Sequence, residues 1–196
     1  KDYFAPSVYG VGILGTKYSS KINGVQTKEY TLWMDMLKRC YSDKYQKKQP
    51  TYEGCEVSDN LLYYEYFYEW CNKQIGFDNK DWQLDKDLLV KGNKVYNEST
   101  CIFIPKEINQ VLVKRENMRG KYPIGVYWSH KNKAFMARVN MNKGKYEYLG
   151  SFNAEIEAFN AYKTAKEAFV KEQASKWKGK IDDRAYEALM NYQVET

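Results

Sequence analysis

The sequence is poor in the residues that build zinc sites and disulfide frameworks. It contains a single histidine, His130, and its four cysteines lie far apart with no CxxC pair. Both kinds of site need such residues clustered at short spacings, so the pattern argues against them. We therefore expect buried free thiols in a reducing cytoplasm. The four cysteines are Cys40, Cys55, Cys71 and Cys101.

Long apolar runs are also missing. No stretch approaches the roughly 20 residues of a membrane-spanning helix, and no signal-peptide pattern opens the chain. The 196 residues are 43% hydrophobic and 16% aromatic, which is enough for a core without metals or disulfides. We expect a soluble, cytoplasmic protein.

Acidic residues are absent from one segment. Between Lys121 and Tyr146 the chain has six cations and no acid until Glu147. An ordinary protein surface mixes acidic and basic residues, so the concentration of cations in one segment says more than the net charge of +6 alone. The segment indicates a surface that faces a polyanion. Its cations are Lys121, Lys131, Lys133, Arg138, Lys143 and Lys145.

Helical periodicity dominates the first half of the chain. Apolar residues recur at helical spacing over residues 28–42 and again over 59–74, which predicts two amphipathic helices. We interpret both aromatic stripes as core. The first stripe comprises Tyr30, Trp33, Met34, Leu37 and Tyr41, and the second comprises Leu62, Tyr63, Tyr66, Phe67 and Trp70.

A ββα pattern follows. We predict strands near 83–90 and 100–104, a turn at 91–94, Pro105 at a helix start and a short helix over 106–114. Gly120 and Pro123 indicate a linker over 117–123.

The second half predicts three strands and a long helix. The strands are IGVYWS, AFMARVNM and KYEYLGSF, and Asn153 is the expected cap of the helix. Residues 171–180 read as a basic helix end or linker, followed by a terminal helix capped by Asp182 or Asp183. The fold class is α+β, a helical unit with a ββα hairpin before an antiparallel sheet packed on one helix. The expected divisions are 1–115, 119–172 and 173–196.

Strand alternation assigns a set of polar and aromatic residues to the sheet face away from the helix, which we call the tyrosine face. These residues offer donors for base edges, flat rings and charges that neutralise phosphates. Such a face could enter a major groove or stack unpaired bases. The face comprises Tyr127, Ser129, Arg138, Asn140, Tyr146 and Tyr148, rimmed by Lys131, Lys133, Lys143 and Lys145.

About 50 residues, 120–168, resemble an AP2 domain, the sheet-and-helix DNA-binding module of plant transcription factors that also occurs in phage proteins. The resemblance implies major-groove contacts by Tyr127, Arg138, Asn140, Tyr146 and Tyr148. Several groove-contacting arginines of the plant pattern are tyrosine, serine or asparagine here, which affects base specificity more than binding. The matching elements are Gly125-Val126, Phe135-x-Ala137, Tyr148-Leu149-Gly150-x-Phe152, Glu157-Ala158 and Ala161-Tyr162.

The ββα segment resembles the HNH endonuclease unit that phage proteins join to an AP2 domain. That family has a strand ending in histidine, a GN turn, an asparagine and a helix carrying a third ligand, which together hold one divalent metal. The segment here offers Asp85-Lys86-Asp87, Gly92-Asn93, Asn97 to Thr100, and Glu107 or Asn109 on the helix. The histidine position falls on Asp85.

Aspartate is a much weaker base than imidazole at neutral pH, although it is a better ligand for magnesium. The resemblance therefore leaves two readings. Asp85, Asp87 and Asn109 could act in catalysis, with magnesium on Asp85, Asp87 and Glu107. Alternatively, Asp85 and Asp87 bond turn amides and Lys86 is solvated, which is the interpretation we favour.

Three functions are consistent with the sequence. The first is a phage-type protein that binds double-stranded DNA and carries a degenerate nuclease unit. The second is an active, magnesium-dependent endonuclease of homing type. The third is a phage factor that binds a host enzyme or defence protein, with the aromatic first unit as anchor.

Overall fold

A computed structural model describes residues 2–112, 120–141 and 144–195. The chain divides into two compact units, 1–104 and 105–196. Both contain helices and short strands, which confirms the α+β class. The division comes earlier than the boundary we placed after residue 115. Within the described ranges, no helix has both the length and the apolar character needed to cross a membrane.

The first unit is built from short elements. Strands β1 and β2 form an antiparallel pair, β3 and β5 pair in parallel, and β4 pairs with β6. The elements are β1 (Lys21–Ile22), β2 (Val25–Gln26), α1 (Lys28–Tyr41), α2 (Asp43–Lys48), β3 (Glu56–Val57), α3 (Tyr64–Asn72), β4 (Trp82–Asp85), β5 (Val95–Tyr96) and β6 (Ile102–Pro105), with 3₁₀ turns at Pro50–Tyr52 and Asp59–Leu62.

Helix α1 begins where the sequence predicted. The Thr27 hydroxyl accepts a hydrogen bond from the Tyr30 amide and caps the helix. Trp33 is fully buried, and its indole nitrogen donates to the carbonyl of Leu61 at 2.8 Å. All four cysteines are buried free thiols, as expected.

The stripe predicted for the second helix is correct in part, since Phe67 and Trp70 are buried, but wrong for two of its tyrosines. Tyr63 and Tyr66 are 50% and 43% exposed. A 3₁₀ turn precedes α3, so the α-helical phase starts only at Tyr64, three residues after the buried Leu61. The buried face is Leu61, Tyr64, Phe67, Trp70 and Cys71.

The ββα pattern is also looser than predicted. Strand β4 ends at Asp85 rather than near residue 90, and β6 starts at Ile102. The intervening residues form a long loop, in which β5 pairs with β3 instead of continuing a hairpin. Pro105 closes β6, and the helix begins one residue later.

The second unit contains the predicted sheet and long helix. The antiparallel order is β7-β8-β9, and α5 packs across one face. Gly125 precedes β7 at φ +79°, and a Cβ there would lie 2.0 Å from the Tyr162 ring, so only glycine fits. The elements are α4 (Lys106–Leu112), β7 (Val126–Ser129), β8 (Ala134–Asn140), β9 (Tyr146–Phe152), α5 (Glu155–Lys176) and α6 (Asp183–Met190).

The cap of α5 differs from the prediction. The residue before the helix is Ala154, not Asn153, and the Glu157 carboxylate accepts from the Ala154 amide at 3.3 Å. A carboxylate in the first turn thus replaces the missing cap side chain. Asp182 caps α6 by accepting from the Arg184 amide, which was one of the two predicted possibilities. The predicted helix end at 113–114 and the linker start at 117–119 lie outside the described residues.

Candidate nucleic-acid interface

The register of the sheet separates its two faces. Directly opposed residues share a face, and Val126 opposes Ala137 on the side that packs against α5. Arg138 opposes Tyr148, and Asn140 opposes Tyr146, on the other side. Tyr127 is next to Val126 along β7 and therefore lies on that other side as well. These residues of the tyrosine face therefore lie together on the side of the sheet away from α5.

A β-bulge sets this arrangement. Ala137 opposes Gly150, whereas the next residue, Arg138, opposes Tyr148, so Leu149 is an extra residue in β9. Gly150 has φ +134°, a backbone conformation that favours glycine. The extra residue turns Tyr148 and Tyr146 toward the tyrosine face and Glu147 away from it.

Arg138 lies between two aromatic rings. Its guanidinium carbon is 5.1 Å from the ring centroid of Tyr127 and 4.7 Å from that of Tyr146. These distances are within the range of cation–π attraction. The residues Tyr127, Tyr146 and Tyr148 remain 39%, 58% and 56% exposed. The face therefore presents a positioned cation among accessible rings.

The rim of the face is basic. Lys131, Lys133 and Lys145 are exposed, while Lys143 lies outside the described residues. Ser129 is half-buried, and its hydroxyl accepts from the Asn132 amide at 3.2 Å. Across 120–141 and 144–152, the only acidic residue is Glu147.

Sequence alternation missed one member of the face. Ser151 opposes Met136, is exposed, and lies on the same side as Tyr127. The bulge at Leu149 shifts the alternation between Tyr148 and Ser151, so a strict period of two assigns Ser151 to the wrong side. Gly150 inside a strand was the available signal, because an isolated glycine there often marks a bulge.

The nuclease-like segment in the first unit is a hydrogen-bonded loop. One oxygen of Asp85 accepts from the amides of Asp87 and Leu88, at 3.1 and 2.7 Å. Burial, together with the nearby Asp87 carboxylate, raises the pKa of Asp85 above its usual range. The carboxylate at the histidine position therefore serves the backbone of its own loop.

Our expectation that Lys86 is solvated is wrong. The side chain is buried, and its ammonium donates to the Asn93 carbonyl at 2.7 Å and to Asp87 at 3.1 Å. The Asn93 amide donates back to the Lys86 carbonyl and to the Val95 carbonyl, both at 2.7 Å. Lys86 and Asn93 thus hold the two ends of the loop together through hydrogen bonds in both directions. This arrangement requires the Lys86 ammonium to be buried within the loop.

The remaining candidate ligands lie in the second unit, on α4. Glu107 accepts from the Trp177 indole at 2.7 Å, and Asn109 also has an interaction partner. Asp85 and Asp87 belong to the first unit. Among the residues the structure describes, no group of three or more His, Cys, Asp or Glu side chains is arranged to hold a metal ion.

Comparison with known proteins yields no family for this chain. No protein-family model, curated protein or solved structure matches it. The geometry and chemistry of the two candidate sites are therefore the basis for the function proposed below.

Proposed function

We propose that the second unit binds double-stranded DNA through the tyrosine face, and that the nuclease-like loop of the first unit is a scaffold. The proposal follows the resemblance to phage HNH/AP2 proteins. The observation that carries it is Arg138, held between the rings of Tyr127 and Tyr146 on an exposed, acid-poor face.

The dimensions and chemistry of the face suit a duplex. Three strands spaced about 4.8 Å apart span about 10 Å, which is compatible with a major groove about 12 Å wide. A guanidinium fixed between two rings gives up little conformational freedom on binding, and its planar edge is the best side-chain partner for guanine.

The rim supplies the general affinity. Lys131, Lys133 and Lys145 neutralise phosphates around the groove and position the sheet without reading sequence. Glu147 would repel phosphates from the same surface, but the bulge turns it to the other side of the sheet.

The inactive reading of the loop is supported by the hydrogen bonds of Asp85. A ligand or general base must direct its lone pairs at a metal or a water, whereas one oxygen of this carboxylate is occupied by two backbone amides. An active enzyme would cut a duplex in magnesium or manganese. The same labelled duplex should therefore be incubated with and without these metals, and we expect no cleavage.

The binding test replaces Arg138 and Lys145 together with alanine in the full chain. We expect at least about tenfold weaker duplex binding at low salt, because the double variant makes neither the positioned base contact nor one of the phosphate contacts. Fluorescence anisotropy with a labelled duplex measures the change. Arg138→Lys separates the two contributions, since it keeps the charge and loses the planar fork.

The matched control removes two exposed cations elsewhere in the same unit, Lys171 and Lys180. We expect this double variant to bind as the unmodified protein does. An equal loss of duplex affinity in both double variants would mean that binding depends only on net charge. Unchanged affinity after Arg138→Ala with Lys145→Ala would overturn the assignment of the tyrosine face.

A further inference from the structure

The end of α1 in the first unit carries a second arrangement of cations and rings. The Lys38 ammonium lies 5.0 Å from the Tyr45 ring centroid, and the Tyr45 and Tyr52 centroids are 5.8 Å apart. Arg39 lies 5.5 Å from the Tyr52 centroid. Two neighbouring cations of one helix turn thus rest against a pair of rings.

Arg39 sits at the inner end of this row. Its Nη1 donates to the Tyr96 hydroxyl at 3.3 Å. Tyr96 is buried, while Arg39 and Tyr52 are partly exposed. Arg39 is therefore a partly exposed residue whose guanidinium reaches a buried hydroxyl.

The charge of Arg39 is poorly compensated. None of the ion pairs found among the described residues includes it, and its one hydrogen-bond acceptor there is a neutral phenol at a long distance. A guanidinium has five N–H donors. Partly burying a guanidinium without a carboxylate partner costs free energy, and contacts with aromatic rings offset only part of that cost. Arg184, in the other unit, shows the usual arrangement, with two nitrogens on the Asp182 carboxylate at 2.7 and 3.0 Å.

The surroundings of Arg39 are fixed before any ligand arrives. The Gln46 amide nitrogen donates to the carbonyls of Arg39, Cys40 and Tyr52, at 2.8 to 3.2 Å. This single side chain ties the end of α1 to α2 and to the 3₁₀ turn that carries Tyr52. In a preorganised site, ordering the binding groups costs little free energy when the ligand binds.

Cations outnumber acids along this stretch of the chain. From Lys38 to Lys48 the chain carries five cations and one acid, Asp43. The one ion pair of Lys38, with Asp35 at 3.7 Å, is exposed and therefore weak. The five cations are Lys38, Arg39, Lys44, Lys47 and Lys48.

We propose that Arg39 binds a phosphate group, with Lys38 adding charge. A planar fork of N–H donors matches the oxygens of a tetrahedral oxyanion in a bidentate manner. The phosphate is either free inorganic phosphate or a phosphodiester of a nucleic-acid backbone, since both present the same oxygens. This site lies in the first unit and does not rest on the function proposed for the tyrosine face.

The first experiment titrates the full chain with inorganic phosphate, against chloride at equal ionic strength, by calorimetry. We expect saturable phosphate binding that weakens at least about fivefold in Arg39→Lys, because an ammonium keeps the charge but loses the bidentate contact. Arg184→Lys is the control, since that arginine already has its carboxylate, and it should bind phosphate normally. Absence of saturable binding, or equal binding by Arg39→Lys, would overturn the proposal.

A second measurement needs no variant, so it decides the matter even if Arg39→Lys fails to fold. Phenylglyoxal modifies accessible arginines, and peptide mapping by mass spectrometry gives the rate at each one. We expect phosphate to slow the modification of Arg39 at least about threefold while leaving Arg184 unchanged. Equal rates in phosphate and chloride would contradict the site.

The two phosphate sources are separated in the Arg138→Ala and Lys145→Ala background, where the tyrosine face is disabled. If Arg39→Lys further weakens the remaining duplex affinity, the site binds backbone phosphate. If it weakens only inorganic phosphate binding, the site takes small phosphates. Because the phosphate titration contains no DNA, its failure is distinct from a failure of the tyrosine face to bind duplex.

Discussion

Asp85 is a carboxylate that serves the backbone of its own loop. Its side chain accepts from the Asp87 and Leu88 amides. Burial raises its pKa, so folding makes the carboxylate easier to protonate, opposite to the usual effect of ion pairing. This shift gives a direct test of its role.

We expect Asp85→Asn to become more stable relative to the unmodified protein as the pH rises from about 4 to about 7. The raised folded pKa means that Asp85 contributes stability that is fully present below the unfolded pKa and is lost as the pH rises through the folded value. The carboxamide introduced by the substitution keeps an oxygen for the two backbone amides and does not titrate. Urea unfolding of both proteins across this range measures the difference.

A relative stability that falls with pH would show that ionised Asp85 is stabilised by cations, contrary to this account. Loss of a metal-dependent cleavage activity in Asp85→Asn would instead support the nuclease reading.

At the scale of single elements, the local sequence predicted the type of secondary structure better than it predicted which face of the element is buried. The helical spacing of Trp33 and Leu37 predicted α1 correctly, because a periodic apolar face acts within one helix. The face of α3 could not be predicted in the same way. Its phase depends on the 3₁₀ turn that ends at Leu62, and 3₁₀ and α-helical turns rotate side chains by different angles.

The candidate site shows the same limit. Tyr127, Arg138 and Asn140 could be assigned to one face from strand alternation alone, whereas Ser151 could not, since the bulge at Leu149 interrupts the period. Arg39 gave no signal at all. Its neighbours Tyr52 and Tyr96 are distant in sequence, and only the parallel pairing of β3 with β5 and the packing around it bring them close.

The phase of α3 is tested by removing one ring from each side of the helix. Phe67→Ala deletes a fully buried ring that contacts Trp70, so we expect a loss of about 3–5 kcal/mol in the free energy of unfolding. Tyr66→Ala removes a ring of the same helix that is 43% exposed, and we expect a loss of at most about 1 kcal/mol. Urea denaturation compares the two. Equal losses would contradict the phase seen in the structure.

At the scale of the whole molecule, charge is the property that links the two units. The net charge is +6, and each unit carries a separate basic surface with aromatic rings among its cations. An acidic protein surface would complement the same cations. A pull-down after nuclease treatment distinguishes the two kinds of partner, since a protein partner is retained and a DNA-bridged one is lost.

The salt dependence of duplex binding reports how many of these cations contact phosphate. Each neutralised phosphate contributes about −0.9 to the slope of log K against log salt concentration. Because Arg138 is placed on a base edge, the five lysines between Lys121 and Tyr146 predict a slope of about −4.5. Arg138→Ala with Lys145→Ala should reduce its magnitude by about 1, because Lys145 neutralises one phosphate whereas Arg138 contacts a base edge. Anisotropy titrations at several salt concentrations give the slope.

The same titrations separate placement from amount of charge. Lys171→Ala with Lys180→Ala lowers the net charge equally but removes no cation of the tyrosine face or its rim, so we expect the slope of the unmodified protein. A slope that changes equally in both double variants would mean that DNA responds to total charge. A slope near zero would show that phosphate contacts do not drive binding, because counterion release accompanies every neutralised phosphate.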